Sequence, residues 1–217
     1  MLLSEGRDYM TAHRRKFLTD CTLLTAGVLL PLPAAAQWGM VHELSGEVLL
    51  NGARMARNSA IRAGQTIATG RDGRIWFTVA GDAYFLRPGS ELRLRPGGVR
   101  DTVIDALRLV TGALGATFGR GTARAVYAQT VTIGIRGTGI YVETMPQETY
   151  ACTCFGSTEL MSVSTGSMME AVAVTAENHI ARRISADRVV PAPFERHTSE
   201  EISRLERMAG RPNPFQK

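Results

Sequence analysis

The chain has 217 residues, of which 44 % are hydrophobic and 21 % are charged, and its formal net charge is +5. These proportions are typical of a folded protein and exclude a chain that is disordered throughout. The basic residues are almost all arginines scattered along the sequence, with lysine only at Lys16 and Lys217. Since nucleic-acid binding requires basic residues clustered on one surface, we expect no nucleic-acid partner.

The first 36 residues are predicted to be an export signal. The segment His13–Asp20 reads HRRKFLTD, and its paired arginines followed by phenylalanine and leucine resemble a twin-arginine signal. The apolar run Leu23–Leu32 is shorter than the ~20 residues that a membrane-spanning helix needs. Three alanines precede Gln37, where we expect cleavage. The mature protein is therefore expected in the periplasm, without a stable membrane span and without Cys21.

Beyond Met40, short apolar runs alternate with turn signals, which indicates β-strands. Asn51-Gly52 lies between two apolar runs and is the sequence pattern of a tight hairpin. Asp72-Gly73, Gly81-Asp82 and Pro88-Gly89 predict three further turns. This spacing of about ten residues is typical of an all-β sandwich or barrel-like fold.

The next segment, residues 103–119, has apolar spacing that fits a helix or a strand. Its glycines at 112, 115 and 119, together with its valine and threonine content, favour a strand. Residues 120–128 are then expected to form a loop or crossover.

The C-terminal region predicts one short helix. Thr198 and Glu201 have the spacing of a capping box, and Ile202, Leu205 and Met208 recur at helical spacing. Gly210 and two prolines then end the helix. We expect this helix to pack its apolar side against the β domain as a closing cap.

A kink is predicted in the strand segment Tyr127–Thr144. Val131, Ile133 and Ile135 share one face, but Ile140 and Val142 have the opposite parity. Because strand side chains alternate strictly, the residues between them, Arg136-Gly137-Thr138-Gly139, must contain a bulge.

This segment resembles the FecR domain, whose hallmark is a strand, an R-G-T step and a second strand. The stretch from GEVLLNG at Gly46 to ELRL at Glu91 resembles the opening of the same family. The resemblance covers roughly residues 41–185 and implies an all-β periplasmic module, a β-sandwich or jelly-roll-like domain. We therefore expect a signal peptide over 1–36, a FecR-like β domain over 37–190, and a C-terminal extension over 191–217.

The family's regulators also carry an anti-sigma segment and a membrane span before this domain. Here only about a dozen residues precede the export signal, so we expect a stand-alone exported domain. Arg136, Gly137, Thr138 and Gly139 are the family-motif residues of this chain.

Cys152 and Cys154 are the cysteines that remain after removal of the signal. On a strand, Tyr150, Cys152 and Cys154 point to one face, and the residues between them to the other. Residues two apart on a strand lie at the upper edge of disulfide geometry, so a disulfide between the cysteines would be strained. The alternatives are a redox-active disulfide, a metal site and two inert thiols.

Metal binding would require further ligands, which histidines can supply. His179 is expected in a strand downstream of the cysteines, and His197 comes just before the predicted helix, where the chain could fold back over the sheet. With Cys152 and Cys154 they form a candidate set of two sulfur and two nitrogen ligands. Such a set suits zinc, copper or iron.

The sequence contains no G-x-S-x-G, H-E-x-x-H or phosphate-binding glycine motif, so we do not expect an enzyme. Our first hypothesis is an exported binding or sensing module with a periplasmic protein or small-ligand partner. The alternative is a metal-binding or thiol-redox protein that uses Cys152 and Cys154. Attachment to cell-wall glycan is a third, weaker hypothesis.

Overall fold

The computed structural model describes residues 39–97, 103–121, 123–163 and 171–216; the predicted signal peptide, residues 1–36, lies outside these ranges. The elements in the described residues are β1 Met40–Ser45, β2 Val48–Leu50, β3 Ala53–Arg54, β4 Thr66–Thr69, β5 Arg74–Val79, β6 Asp82–Leu86, β7 Glu91–Gly97, β8 Val103–Thr117, β9 Ala123–Tyr127, β10 Val131–Thr144, β11 Thr149–Ser162, β12 Val172–Ala176, β13 Ile180–Ile184, β14 Val189–Ala192 and α1 Ser199–Met208. The predicted all-β fold with one short C-terminal helix is confirmed. No described helix is both long enough and apolar enough to cross a membrane.

The strands form one curved, hydrogen-bonded sheet. Its path runs β14-β13-β11-β10-β9-β8-β7-β4-β2-β3, and β1, β5 and β6 join it through β8 while β12 pairs with β11. The long strands change partners along their length. In β10, residues 132–136 pair with β9 and residues 139–144 pair with β8. This exchange of neighbours lets the sheet curve around an apolar core in the manner of a sandwich.

The turn predictions are largely confirmed. Asn51 and Gly52 connect β2 to β3 with φ angles of +51° and +81°, as the predicted hairpin turn requires. The β5–β6 turn is formed by Ala80 and Gly81, both with positive φ, one residue earlier than predicted. The turn at Asp72-Gly73 joins β4 to β5, which pair with other strands and not with each other.

The segment before residue 119 is a strand, β8, as predicted. The expectation of a loop over 120–128 is wrong, because residues 123–127 form β9. This strand pairs in parallel with β8 and antiparallel with β10. Its assignment depends on these distant partners, which a five-residue pattern does not indicate.

The predicted kink lies at the R-G-T step. Pairing of β10 with β11 shifts register between Arg136 and Gly139, and Gly137 has a φ of +56°. A second shift follows at once, since Gly139 lies opposite Phe155 and Ile140 lies opposite Thr153. Cys154 is therefore the extra residue of a bulge in β11. Bulges of this kind change the direction of a side chain.

Two apolar clusters lie on the two faces of the sheet. The inner core includes Ile75, Phe77, Leu107, Ile133 and Ile140. A second group, called here the outer cluster, lies on the opposite face. It comprises Trp76, Ala83, Phe85, Ala113, Tyr141, Tyr150, Cys152, Cys154, Ala181, Ile202 and Leu205. Because both faces of the central strands are buried, a strand such as β6 is buried at every residue.

Helix α1 covers part of the outer cluster. Thr198 caps it, and Thr198 and Glu201 form the predicted capping box. Ile202 and Leu205 are fully buried in the outer cluster, and Met208 is partly buried against it. The predicted packing of the helix against the β domain is therefore confirmed.

We predict that Gly156 is needed for the register of β11 next to the bulge. Its φ is +81°, and an added Cβ would lie 2.8 Å from the Gly137 carbonyl oxygen and from Thr138. Gly52 has the same φ but no atom within 4 Å of an added Cβ. Gly52→Ala should lower the free energy of unfolding by ~1–2 kcal/mol from backbone strain alone, and Gly156→Ala should lower it further by crowding.

Chemical denaturation of the two variants and the wild type measures this difference. Equal losses of stability for Gly52→Ala and Gly156→Ala would contradict a tightly packed bulge at this position.

Candidate metal centre

The two cysteines lie in the first half of β11, on the side of the sheet that carries the outer cluster. Cys152 pairs with Tyr141 of β10 and Ala181 of β13, and Cys154 occupies the bulge. Both side chains are buried, with 1 % and 0 % of their surface exposed, and their thiols are free. The prediction that Tyr150, Cys152 and Cys154 share one face is confirmed, since all three belong to the outer cluster.

His179 lies in the turn between β12 and β13, not in a strand as predicted. It has a φ of +40°, in the left-handed region that non-glycine residues seldom adopt. Its backbone N–H donates to the Cys154 carbonyl oxygen at 3.0 Å. The turn thus fixes the ring beside the cysteines, with Nδ1 3.7 Å from the Cys152 Sγ.

His197 reaches the site from the segment between β14 and α1. The chain folds back over the sheet just before the N-cap residue Thr198, as predicted. Nε2 of His197 lies 3.3 Å from the Cys154 Sγ. The imidazole stacks on the Tyr141 ring with a centroid distance of 4.5 Å, so the sheet itself sets its orientation.

The four predicted ligands therefore meet in one place. Their ligand atoms all lie within 4.8 Å of one another. Zinc–sulfur bonds of about 2.3 Å and zinc–nitrogen bonds of about 2.05 Å place the sulfur and nitrogen corners of a tetrahedron about 3.5 Å apart. The distance from the Cys152 sulfur to the His179 nitrogen is 3.7 Å, and that from the Cys154 sulfur to the His197 nitrogen is 3.3 Å. These two values lie on either side of the expected one.

The remaining nitrogen of each imidazole already has a hydrogen-bond partner. Nδ1 of His197 lies 3.0 Å from the Glu195 carbonyl oxygen, which can only accept, so this nitrogen carries the proton. Nε2 of His179 lies 2.9 Å from the Ser199 hydroxyl and can donate to it. In that tautomer both nitrogens that face the cysteines hold a free lone pair, which is the state that a metal ligand requires.

Aromatic rings enclose the two histidines. Phe194 and Phe215 stack against the His179 ring at centroid distances of 4.0 Å and 4.9 Å. Tyr141 covers His197. Sequence reasoning missed these residues and Ser199, because none of them belongs to a ligand type. The proline-flanked phenylalanines of the C-terminal region, in PAPFERH and PNPFQK, were the available signal.

The environment moves the pKa values of the two thiols in opposite directions. A hydrogen bond from the Cys154 thiol holds the pKa of Cys152 well below the ordinary thiol value, although burial opposes this shift. Burial raises the pKa of Cys154, and its interaction with Cys152 raises it further. At neutral pH the pair thus carries one thiolate and one proton.

The remaining histidine outside the predicted signal and the residues of the R-G-T step lie elsewhere. His42, on β1, is 3.1 Å from the Thr78 hydroxyl and takes no part in the cluster. Arg136 and Gly137 border a surface cavity of about 500 Å³. Thr138 is buried, and its hydroxyl donates to the Phe155 carbonyl oxygen. The residues of the R-G-T step therefore shape the β10–β11 kink, and they are not ligands of the cluster.

We predict that the Cys154 thiol keeps Cys152 ionised in the metal-free protein. Cys154→Ala removes the donor and should raise the pKa of Cys152 towards the ordinary thiol value. Cys154→Ser keeps a hydroxyl donor and should preserve a lowered pKa. Thiolate ultraviolet absorbance, followed during a pH titration of each variant, measures the difference. The same Cys152 pKa in both variants would contradict the assignment.

The chain was compared with known proteins as a whole. No protein-family model matches the chain, and no curated protein matches it. Two crystal structures of a candidate anti-sigma factor from Parabacteroides distasonis ATCC 8503 are similar at 13 % and 14 % sequence identity, both with a TM-score of 0.46. The matches cover 67 % and 66 % of this chain and 74 % and 73 % of those chains.

Proposed function

We propose that this protein is a non-enzymatic metal-binding module that holds one transition-metal ion through Cys152, Cys154, His179 and His197. One observation carries the proposal: these four ligand atoms, from three separate parts of the chain, lie within 4.8 Å of one another. The hydrogen bonds on the far side of both imidazoles support it, since metal-bound histidines are usually oriented in this way.

Burial favours a metal over the other two interpretations of the cysteine pair. A thiol-exchange site must admit a partner sulfur, but Cys152 and Cys154 are almost completely covered. Inert thiols do not account for two histidines directed at them. A divalent ion bound by two thiolates and two neutral imidazoles forms a centre of zero net charge, which lowers the cost of burying the thiolates.

The ligand set also favours one class of metal. Tetrahedral sites with two sulfur and two nitrogen ligands are typical of zinc. A [2Fe–2S] cluster with the same ligands would hold both cysteines on one iron and both histidines on the other. Here all four ligand atoms lie within 4.8 Å of one another, which fits a single ion better. Four protein ligands leave no open position for a substrate, which agrees with a non-enzymatic role.

We place this module in the periplasm, as the twin-arginine-type segment at His13–Asp20 indicates. Periplasmic conditions promote thiol oxidation, and a bound metal would protect the two cysteines from it. The FecR-like arrangement of the sequence supports a binding or sensing role for the module. Its partner would be a periplasmic protein or a small ligand.

We predict that the purified protein binds one zinc ion per chain. His197→Ala and Cys152→Ser should each lose zinc during dialysis, because three ligands hold the ion more weakly than four. His42→Ala, a matched histidine substitution outside the site, should retain zinc. Elemental analysis measures the metal, and cobalt substitution should give the absorption spectrum of a tetrahedral thiolate site. Zinc-free wild-type protein with two unreactive thiols would refute the proposal.

The hydrogen bond behind His179 should also contribute to metal affinity. Ser199→Ala removes the partner of Nε2 and should weaken zinc binding by about 10–100-fold. Ser157→Ala, a change of the same kind at a serine hydrogen-bonded to Thr175, is the control. Competition with a chromogenic chelator measures both affinities, and equal affinities would argue against a role for Ser199.

Export can be tested separately. Replacing Arg14 and Arg15 by lysine should leave the precursor in the cytoplasm, whereas Arg7→Lys should not. The N-terminus of the exported protein, determined by sequencing, should be close to Gln37. Normal export of the double variant would rule out the twin-arginine route.

A further inference from the structure

We infer that metal occupancy controls the docking of the C-terminal segment, defined as residues 193–216, on the outer cluster. This inference rests on the proposed metal site and assigns it a regulatory role. The ligands come from three parts of the chain: Cys152 and Cys154 from β11, His179 from the β12–β13 turn, and His197 from the C-terminal segment. His197 is thus the only one of the four that belongs to this segment.

A metal ion would therefore act as a cross-link between the segment and the sheet. In the absence of the ion, His197 is held by a thiol contact at 3.3 Å and by stacking on Tyr141. The edge of the His179 ring also contacts it, at a centroid distance of 5.2 Å. Its contacts with the Glu195 carbonyl oxygen and the Phe194 ring lie within the segment and do not attach it to the sheet. Coordination would replace the weak thiol contact by two metal–ligand bonds, one to the His197 nitrogen and one to the Cys154 sulfur.

The other attachments of the segment are individually modest. Among the described residues, four ion pairs join the segment to the sheet, Arg87–Glu201, Arg196–Glu143, Arg204–Glu43 and Arg183–Glu195, and their side chains are 21–40 % exposed. Arg211 also donates hydrogen bonds to the Gly81 carbonyl oxygen and the Thr117 hydroxyl. Partly exposed ion pairs contribute little to stability and are screened by salt. The Tyr150 hydroxyl adds hydrogen bonds to the backbone of Pro193 and Glu195.

The apolar contribution of the helix is also limited. Ile202 and Leu205 are its two apolar residues that are fully buried. The backbone opposes docking at one point, because Arg196, next to the ligand His197, has a φ of +72°. A segment with few buried apolar residues and many exposed polar contacts is of the kind that opens locally without unfolding the rest of the protein.

Release of the segment would change the surface of the protein. The segment covers the outer cluster, in which Trp76, Phe85, Tyr141 and Tyr150 lie on the sheet. Undocking would expose these aromatic rings while the inner core, on the other face of the sheet, stays intact. The metal-bound and metal-free protein would thus expose different surfaces. A metal-sensing module requires such a difference between its two states.

Hydrogen–deuterium exchange of the zinc-loaded and chelated protein tests this inference. We expect chelation to speed amide exchange in residues 193–216 by at least about tenfold, with little change in β8 and β10. Added salt should accelerate exchange in this segment more in the chelated protein than in the zinc-loaded protein. If zinc is lost and exchange in the segment does not change, metal control of docking is overturned, but the proposed metal site is not. Absence of zinc binding would instead overturn the proposed function.

Two histidine variants provide a matched comparison at saturating zinc. In His197→Ala the other three ligands remain, but none belongs to the segment, so zinc should no longer slow its exchange. In His179→Ala the His197 ligand remains, so zinc should still slow it. The ratio of exchange rates with and without zinc is compared within each variant, which removes any change in baseline stability. An equal zinc response in both variants would overturn the inference.

Discussion

The antiparallel pairing of β10 with β11 is the constraint on which the site depends. The two strands are each 14 residues long, and strict alternation would carry one side-chain parity from end to end. The R-G-T step interrupts the regular pairing of β10 at Gly137, and the paired strand β11 has a bulge at Cys154. Thr138 locks the two irregularities together through its hydroxyl bond to the Phe155 carbonyl oxygen. This local break in pairing changes the parity of β11, so that Cys152 and Cys154 face the outer cluster and Leu160 faces the inner core.

The site also requires that the outer cluster be covered by another part of the chain. A sheet face that carries Trp76, Phe85, Tyr141 and Tyr150 must be shielded from water, and the C-terminal segment supplies that shield. The same segment brings His197 over the cysteines and places Ser199 behind His179. Burial of the outer cluster and assembly of the four ligands are thus two consequences of one docking event. This explains why polar ligands lie inside an otherwise apolar cluster.

A buried pair of charged side chains elsewhere in the described chain is also compensated. Asp82 and Arg124 form an ion pair at 3.1 Å with almost no exposed surface. Asp82 also accepts a hydrogen bond from the backbone of Gly119. Both residues are compensated, since an unpaired buried charge would be strongly destabilising. At the cysteine pair, the thiolate of Cys152 is compensated by a hydrogen bond from the Cys154 thiol.

The sequence by itself determined the features that depend on local physics. The strand alternation, the Asn51-Gly52 turn, the capping box at Thr198 and the kink at Arg136–Gly139 all follow from backbone preferences within a few residues. It also identified Cys152, Cys154, His179 and His197 as a set, because few residues of these types remain outside the predicted signal. Only the tertiary structure decided that β9 is a strand, that His179 sits in a strained turn, and that Phe194, Phe215 and Tyr141 surround the histidines. These features arise from contacts between residues far apart in the chain, and no local pattern encodes which distant segments will meet.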